Sequence, residues 1–272
     1  MTKVFISLLA MSIMWVACTT NAVTGRKQLF LLPESQLIQM AYSEYQTFLS
    51  SNKVVSNSTS KDLDMVNRVG KRVVNAVQEF YKQNNIQNEL DGYQWEIKLV
   101  DSKEVNAWCM PGGKIVVYTG ILPVAQNEAA LANIIGHEIS HAIFKHSNER
   151  MTQGMIAQYG TAAADALLAT RTSNTTRALF NTAIGLGAQY GVIMPFSRKN
   201  ELEADKYGMV WAAMAGYNPA EAINLWQRMQ QASNGQTPPE FLSTHPGPEH
   251  RIEELKKYLP TAQKYYRPMN QK

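Results

Sequence analysis

The 272-residue sequence has only two cysteines, Cys18 and Cys109, so one disulfide is the most it can contain. It has no internal repeat and no low-complexity run, which excludes stacked-repeat architectures. No apolar run reaches the roughly 20 residues that a membrane-spanning helix needs. Val4 to Ala17 comes nearest and is too short. Excess charge is also scarce, at +4 from 26 basic and 22 acidic residues. The basic residues are scattered singly or in pairs such as Lys71-Arg72, with no basic stripe interleaved with aromatics, so nucleic acid is not the expected partner. A hydrophobic fraction of 45% is enough for a sizeable core, which excludes disorder as the default state.

What is present begins with a processing segment. Lys3 precedes the apolar run, which stops at Ala17-Cys18, and residues 1–17 read as a signal peptide. A small residue before a cysteine resembles a bacterial lipobox, making Cys18 the expected lipidation site and residues 18–33 a lipidated tether. Thr19 after it, rather than Asp, points by the same resemblance to the periplasmic side of the outer membrane; a secreted soluble protein is the alternative. Cys109 is then left unpaired and expected to be buried. A Cys18–Cys109 disulfide is the competing reading.

Residues 34–50 and 61–83 have helical patterning, with Leu63, Val66, Val69, Val73, Val77 and Phe80 at three- and four-residue steps. YQWEIKLV at 93–100 alternates like a half-buried strand. VNAWCM, then Pro111-Gly112-Gly113, then KIVVYTG predict a hairpin. From Gln126 onward the pattern is helical nearly to the end. Helices, a small antiparallel or mixed sheet and helices again make a mainly helical α+β fold. The alanine- and glycine-rich stretches MIAQYGTAAADALLAT and ALFNTAIGLGAQYGVIMPF read as core helices, with a mobile cover as the alternative, and Met151, Met155, Met194 and Met209 as core filling rather than a metal-binding or recognition surface.

In NEAALANIIGHEISHAIFKH, 127–146, His137 and His141 lie about 40° apart on one helix face, so both imidazoles can reach one metal ion. Glu138 stands beside the ion rather than on it, placed to take a proton from the attacking water and return one to the leaving amine. Sixty residues later SRKNELEADKYG, 197–208, puts Glu201 and Asp205 on a common helical face. Glu201 is the expected third ligand and Asp205 the orienter of a ligand histidine, while Glu203 projects about 200° away, toward solvent. His146 lies about 180° round from His137 on an ideal helix and is expected to be structural. His250 is read as a surface residue.

HEISH, SRKNELEAD, the STHP of 243–246 followed by Arg251-Ile252, and NAWCMPGGKIVVYTG together resemble the M48 family of gluzincin metallopeptidases. The resemblance runs from about Thr24 to Leu259 and is greatest to the family's soluble periplasmic branch. It implies a peptidase domain over 34–259 followed by a tail at 260–272, with one zinc ion per chain. Two imidazoles and a carboxylate could also hold manganese or iron. It further implies an edge strand along which an extended substrate pairs, with Asn106 and Ala107 near the scissile bond. His245, in the loop LSTHPGPEH, could stabilise the oxyanion or occupy the fourth zinc position and keep the enzyme latent; a loop histidine without a metal role is the plain alternative.

These readings make a zinc endopeptidase of unfolded or misassembled envelope proteins. A zinc-containing chaperone or assembly factor that retains such chains uncut, and a purely structural lipoprotein, are the alternatives.

Overall fold

A computed structural model describes residues 18–156, 196–233, 240–245 and 248–269. The leader expected at 1–17 and most of the two alanine- and glycine-rich stretches, including Met194, lie outside them. Helix α1 spans Glu34–Ser51 and α2 Lys61–Gln83, the latter capped by Ser60, whose hydroxyl accepts from the Leu63 N–H at 3.2 Å. A three-stranded sheet follows, from β3 (Glu96–Val100), β4 (Ala107–Met110) and β5 (Lys114–Tyr118), after an N-terminal β1 (Cys18–Thr20) and β2 (Lys27–Leu29).

The sheet order is β3-β5-β4, with β3 parallel and β4 antiparallel to β5. It is therefore mixed, and β4 forms one edge. Pro111-Gly112-Gly113 makes the hairpin turn, where both glycines have φ of +86°, a conformation open to glycine at little cost. The half-buried strand is shorter than its sequence pattern: Tyr93 and Trp95 precede β3. Both faces of the hairpin are covered, which explains its nearly continuous apolar sequence. Ala107, Cys109, Ile115 and Val117 share a core with α2, while Trp108, Met110, Val116 and Tyr118 pack with Leu37, Tyr45 and Phe48 of α1. Cys18 is exposed and Cys109 buried, and both are free, so no disulfide joins them.

Helix α3, Glu128–Ile143, is the central element. Asn127 caps it by accepting from the Ala130 N–H at 2.8 Å, and every residue from Ala130 to Ile143 is buried. Further helices among the described residues are α4 (Arg198–Met214), α5 (Glu221–Ser233) and α6 (Pro248–Gln263), with short helical turns at Leu122–Ala125 and Glu240–Thr244. Met151, Met155 and Met209 are all buried in the core. Helix α6 continues past Leu259, and Ala262 is fully buried.

Residues 18–33, expected as a short tether, form the β1–β2 hairpin and then a strap over the region after α3. Gln28 Nε2 donates to the Phe144 carbonyl at 2.7 Å, Leu31 N–H to Thr152 Oγ1 at 3.1 Å, and Asn148 Nδ2 to the Leu32 carbonyl at 3.0 Å.

Helices α3 and α4 meet at two glycines. A Cβ on Gly136 would lie 2.9 Å from the Gly208 carbonyl oxygen, and one on Gly208 would lie 2.9 Å from the His137 backbone nitrogen. Backbone cannot yield as a flexible side chain can. Gly208→Val is expected to destabilise the protein by about 1–3 kcal/mol through overpacking, read as a lower urea midpoint.

Candidate metal centre

The α3–α4 contact brings four side chains to one point. His137 and His141 Nε2 are 3.0 Å apart; Glu201 Oε1 is 3.4 Å from His141 Nε2, and Glu201 Oε2 is 3.7 Å from His137 Nε2. His245, from the end of the short helical turn, places Nδ1 3.2 Å from His137 Nε2 and 3.0 Å from Glu201 Oε1. All four residues are buried and could hold a metal ion. Tetrahedral sites with ligand bonds of about 2.0–2.1 Å set ligand atoms about 3.3 Å apart, and these separations bracket that value.

Their charge states suit the same task. Burial, then the neighbouring imidazoles, holds the His141 pKa well below the usual histidine range, and burial lowers that of His245 to about 4 against the opposing pull of Glu201. Both are therefore neutral near pH 7. Burial alone would raise the Glu201 carboxyl, but His245 and Arg251 outweigh it and keep the group ionised. Neutral imidazoles and a carboxylate are the forms that bind metal.

Glu138 lies beside the cluster, with Oε1 3.5 Å from His245 Nε2 and 4.0 Å from His137 Nε2. That oxygen is buried without a hydrogen-bond partner among the described residues. Burial, then the charge of Glu201, pushes its carboxyl well above the ordinary range, which suits a group that exchanges a proton. Asp205 Oδ1 is 3.0 Å from His137 Nδ1, so its carboxylate can fix that ring with Nε2 free for a metal. Asn106 and Ala107 share with Glu138, His141 and His245 a cavity of about 20 Å³, too small for more than about one water. The Ala107 N–H is bonded to Asn106 Oδ1 at 2.9 Å. His250 is exposed, as expected.

Two expectations fail. Glu203 does not face solvent: its carboxylate accepts from Arg26 Nε at 3.0 Å and lies 2.8 Å from His146 Nε2. The helical projection of His146 also fails, because α3 ends at Ile143 and Lys145 takes φ of +59° before a new helical run at 146–156. This break swings His146 back until its Nδ1 is 3.0 Å from His141 Nδ1.

Arg251 was visible in the motif but had no assigned role. Its Nη1 is 2.6 Å from Glu201 Oε2, while Nε and Nη2 each lie 2.6 Å from an Asp205 oxygen. The guanidinium stacks over Trp226 at 3.5 Å from the ring centroid. Two buried carboxylates on one helix face signal the need for a buried cation, and that signal could have pointed to it. Phe196, stacked on His141 at 4.0 Å between ring centroids, carried no signal in its sequence context.

Two histidines from one helix and a carboxylate from a second, with a glutamate beside them, define a metallopeptidase centre of the gluzincin type. Residues 67–259 match the model of Peptidase family M48, and the chain belongs to that family. It is 34% identical over 199 residues to "Mitochondrial metalloendopeptidase OMA1" of Saccharomyces cerevisiae, covering 70% of this chain and 54% of that protein. To "Metalloendopeptidase OMA1, mitochondrial" of Homo sapiens it is 28% identical over 271 residues, covering 96% of this chain and 51% of that protein. To the "Beta-barrel assembly-enhancing protease" of Escherichia coli it is 31% identical over 158 residues, covering 57% and 32%. The chain thus spans about half the length of the first of these relatives. No helix among the described residues is long and apolar enough to cross a membrane.

Removing the buried cation should be costly. Arg251→Met leaves Glu201 and Asp205 without their guanidinium and is expected to lower the stability of the metal-free protein by about 3–5 kcal/mol, measured by urea unfolding at pH 7. Asp205 is held well below the ordinary carboxylate range: burial opposes this, and Arg251 with His137 overcomes it. Its stabilising contribution is therefore present above its unfolded pKa of about 3.9 and lost as pH falls below that value. The difference between parent and variant should narrow in that acid range.

Proposed function

We propose that the chain is a zinc-dependent endopeptidase that cuts unfolded or misassembled envelope proteins. The observation that carries the reading is the buried donor set His137, His141 and Glu201 with the unpartnered Glu138 oxygen beside it. Nitrogen and oxygen donors at near-tetrahedral spacing favour zinc among the metals such a set could hold. When bound, zinc supplies Lewis acidity to polarise a peptide carbonyl and acidify the attacking water. Glu138 takes that water's proton and delivers it to the leaving amine. Asp205 holds His137 in the tautomer that leaves Nε2 free.

β4 is an edge strand, and Asn106 and Ala107 at its start share the cavity with Glu138. An extended chain adding along that edge would be read mainly by its backbone, which suits unfolded substrates of many sequences. Envelope substrates are supported by the name of the Escherichia coli relative and by the lipobox-like Ala17-Cys18. Cys18 is exposed, as a lipid-bearing residue on the periplasmic side of the outer membrane would have to be.

The position of His245 favours a latent form. It supplies a fourth donor where a hydrolase keeps an open position, and the cavity beside it is too small for a peptide. Displacement of His245 by substrate would open the site. A protein that retains unfolded chains uncut is the second reading that this closure supports.

The test is cleavage of a generic unfolded protein by the purified chain from Thr19 onward, with metal content measured on the same sample. About one zinc per chain is expected, and Glu138→Gln should keep the metal while losing about 10²–10⁴-fold in cleavage. Zinc with binding but no cleavage would favour the retaining role, and a folded protein with no affinity for zinc would overturn the reading. His245→Ala should speed cleavage if His245 holds the site latent. A loss of about 10²–10³-fold would assign it to the oxyanion instead.

A further inference from the structure

The two helix-borne histidines are oriented in different ways. Asp205 bonds His137 Nδ1 directly, as carboxylates commonly do at metal centres. Among the described residues His141 Nδ1 meets no carboxylate but a second imidazole, that of His146, at 3.0 Å. His146 Nε2 lies 2.8 Å from Glu203 Oε2, and Glu203 is held by Arg26 Nε at 3.0 Å. Arg26 Nη1 also pairs with Glu149 Oε1 at 2.6 Å, and Glu149 Oε2 accepts from Asn200 Nδ2 at 2.9 Å, next to Glu201. His146 is fully buried, and the Arg26, Glu203 and Glu149 side chains are nearly so.

From this geometry we infer that Arg26, Glu203 and His146 are positioning residues that fix His141 for metal binding, making the N-terminal strap a working part of the centre. The inference rests on the metal-binding reading above. The donor count then leaves one arrangement. If His141 binds through Nε2, its proton sits on Nδ1 and donates to His146 Nδ1. His146 must accept there, so its own proton sits on Nε2 and donates to the Glu203 carboxylate. Arg26 Nε holds that carboxylate in place at 3.0 Å. Arg26 reaches this place because Gln28, Leu31 and Leu32 tie the strap to residues 144–152, and Tyr207 Oη bonds the Val23 carbonyl at 3.3 Å. The segment next to the proposed lipid anchor would thereby bear on the metal ligands.

The experiment is zinc affinity by chelator competition on the purified full chain, comparing the parent with His146→Phe, Glu203→Gln and Arg26→Met. Folding is checked by circular dichroism. Loss of a group that orients a ligand typically weakens metal binding about 10–100-fold, and that range is expected for His146→Phe, with smaller losses for the two more distant changes. Equal affinity in parent and folded variants would overturn the relay while leaving the metal site intact. A parent that takes up no zinc would sink the metal reading, and this proposal with it. If the variants do not fold, nitrogen-15 NMR of the parent's imidazoles with zinc decides. The relay requires His146 protonated at Nε2 and bare at Nδ1; the opposite tautomer would overturn it. A side chain that only filled space would change stability without fixing that tautomer.

Discussion

The centre depends on how closely α3 and α4 approach. Gly136 and Gly208 remove the two Cβ atoms that would hold the helices apart, and the backbones meet where His137 leaves one and Asp205 the other. One helix presents two imidazoles four residues apart; the other presents carboxylates at Glu201, Glu203 and Asp205. Trp211 Nε1 donates to Ser140 Oγ at 2.9 Å, and that hydroxyl donates to the Gly136 carbonyl at 2.8 Å, tying the interface one turn further along. Donor atoms within hydrogen-bonding distance require this backbone distance first, since a shift of one side-chain diameter would separate them beyond the reach of one ion.

Bringing carboxylates into such an interior has an electrostatic consequence. Each needs a cation or several donors, because an unpaired buried charge costs several kcal/mol. Arg251 serves Glu201 and Asp205 together, its planar fork matching the Asp205 carboxylate with two nitrogens and reaching Glu201 with the third. Arg26 serves Glu203 through Nε and Glu149 through Nη1, one nitrogen to each carboxylate. The two clamps come from opposite ends of the chain and converge on α4. Glu138 keeps one buried oxygen without a hydrogen-bond partner among the described residues, as Glu34 does at the start of α1, and in Glu138 that oxygen stands beside the candidate metal site.

Legibility in the sequence followed the range of the interactions. His137 and His141 were readable because their geometry is set by four residues of one helix, and the hairpin turn because Gly112 and Gly113 announce positive φ locally. The order β3-β5-β4 was not readable, since no local pattern says which strand crosses to the edge. His146 was misplaced because the projection assumed a continuous helix, whereas Phe144 and Lys145 break it with no glycine or proline to signal the stop. Glu203 was misjudged for a different reason. Whether its helix face meets water is decided by Arg26, 177 residues earlier, in a segment too polar to suggest packing.

That polar segment also alters what a latent peptidase would need to control. A site closed only by His245 could open by moving the short turn that carries it, since Phe241 N–H is bonded to the Val105 carbonyl at 3.2 Å and the turn lies against the approach to β4. Substrate adding along β4 would arrive at that same bond. Opening and edge-strand pairing would then be one event, because the chain that displaces the turn also takes up the backbone positions beside it. The ligands on α3 and α4 would not have to move, clamped as they are from behind by Arg251 and Arg26. A centre held rigid on one side and covered by a short turn on the other can be switched without being dismantled, which is the physical requirement for latency in a peptidase that must keep its metal while idle.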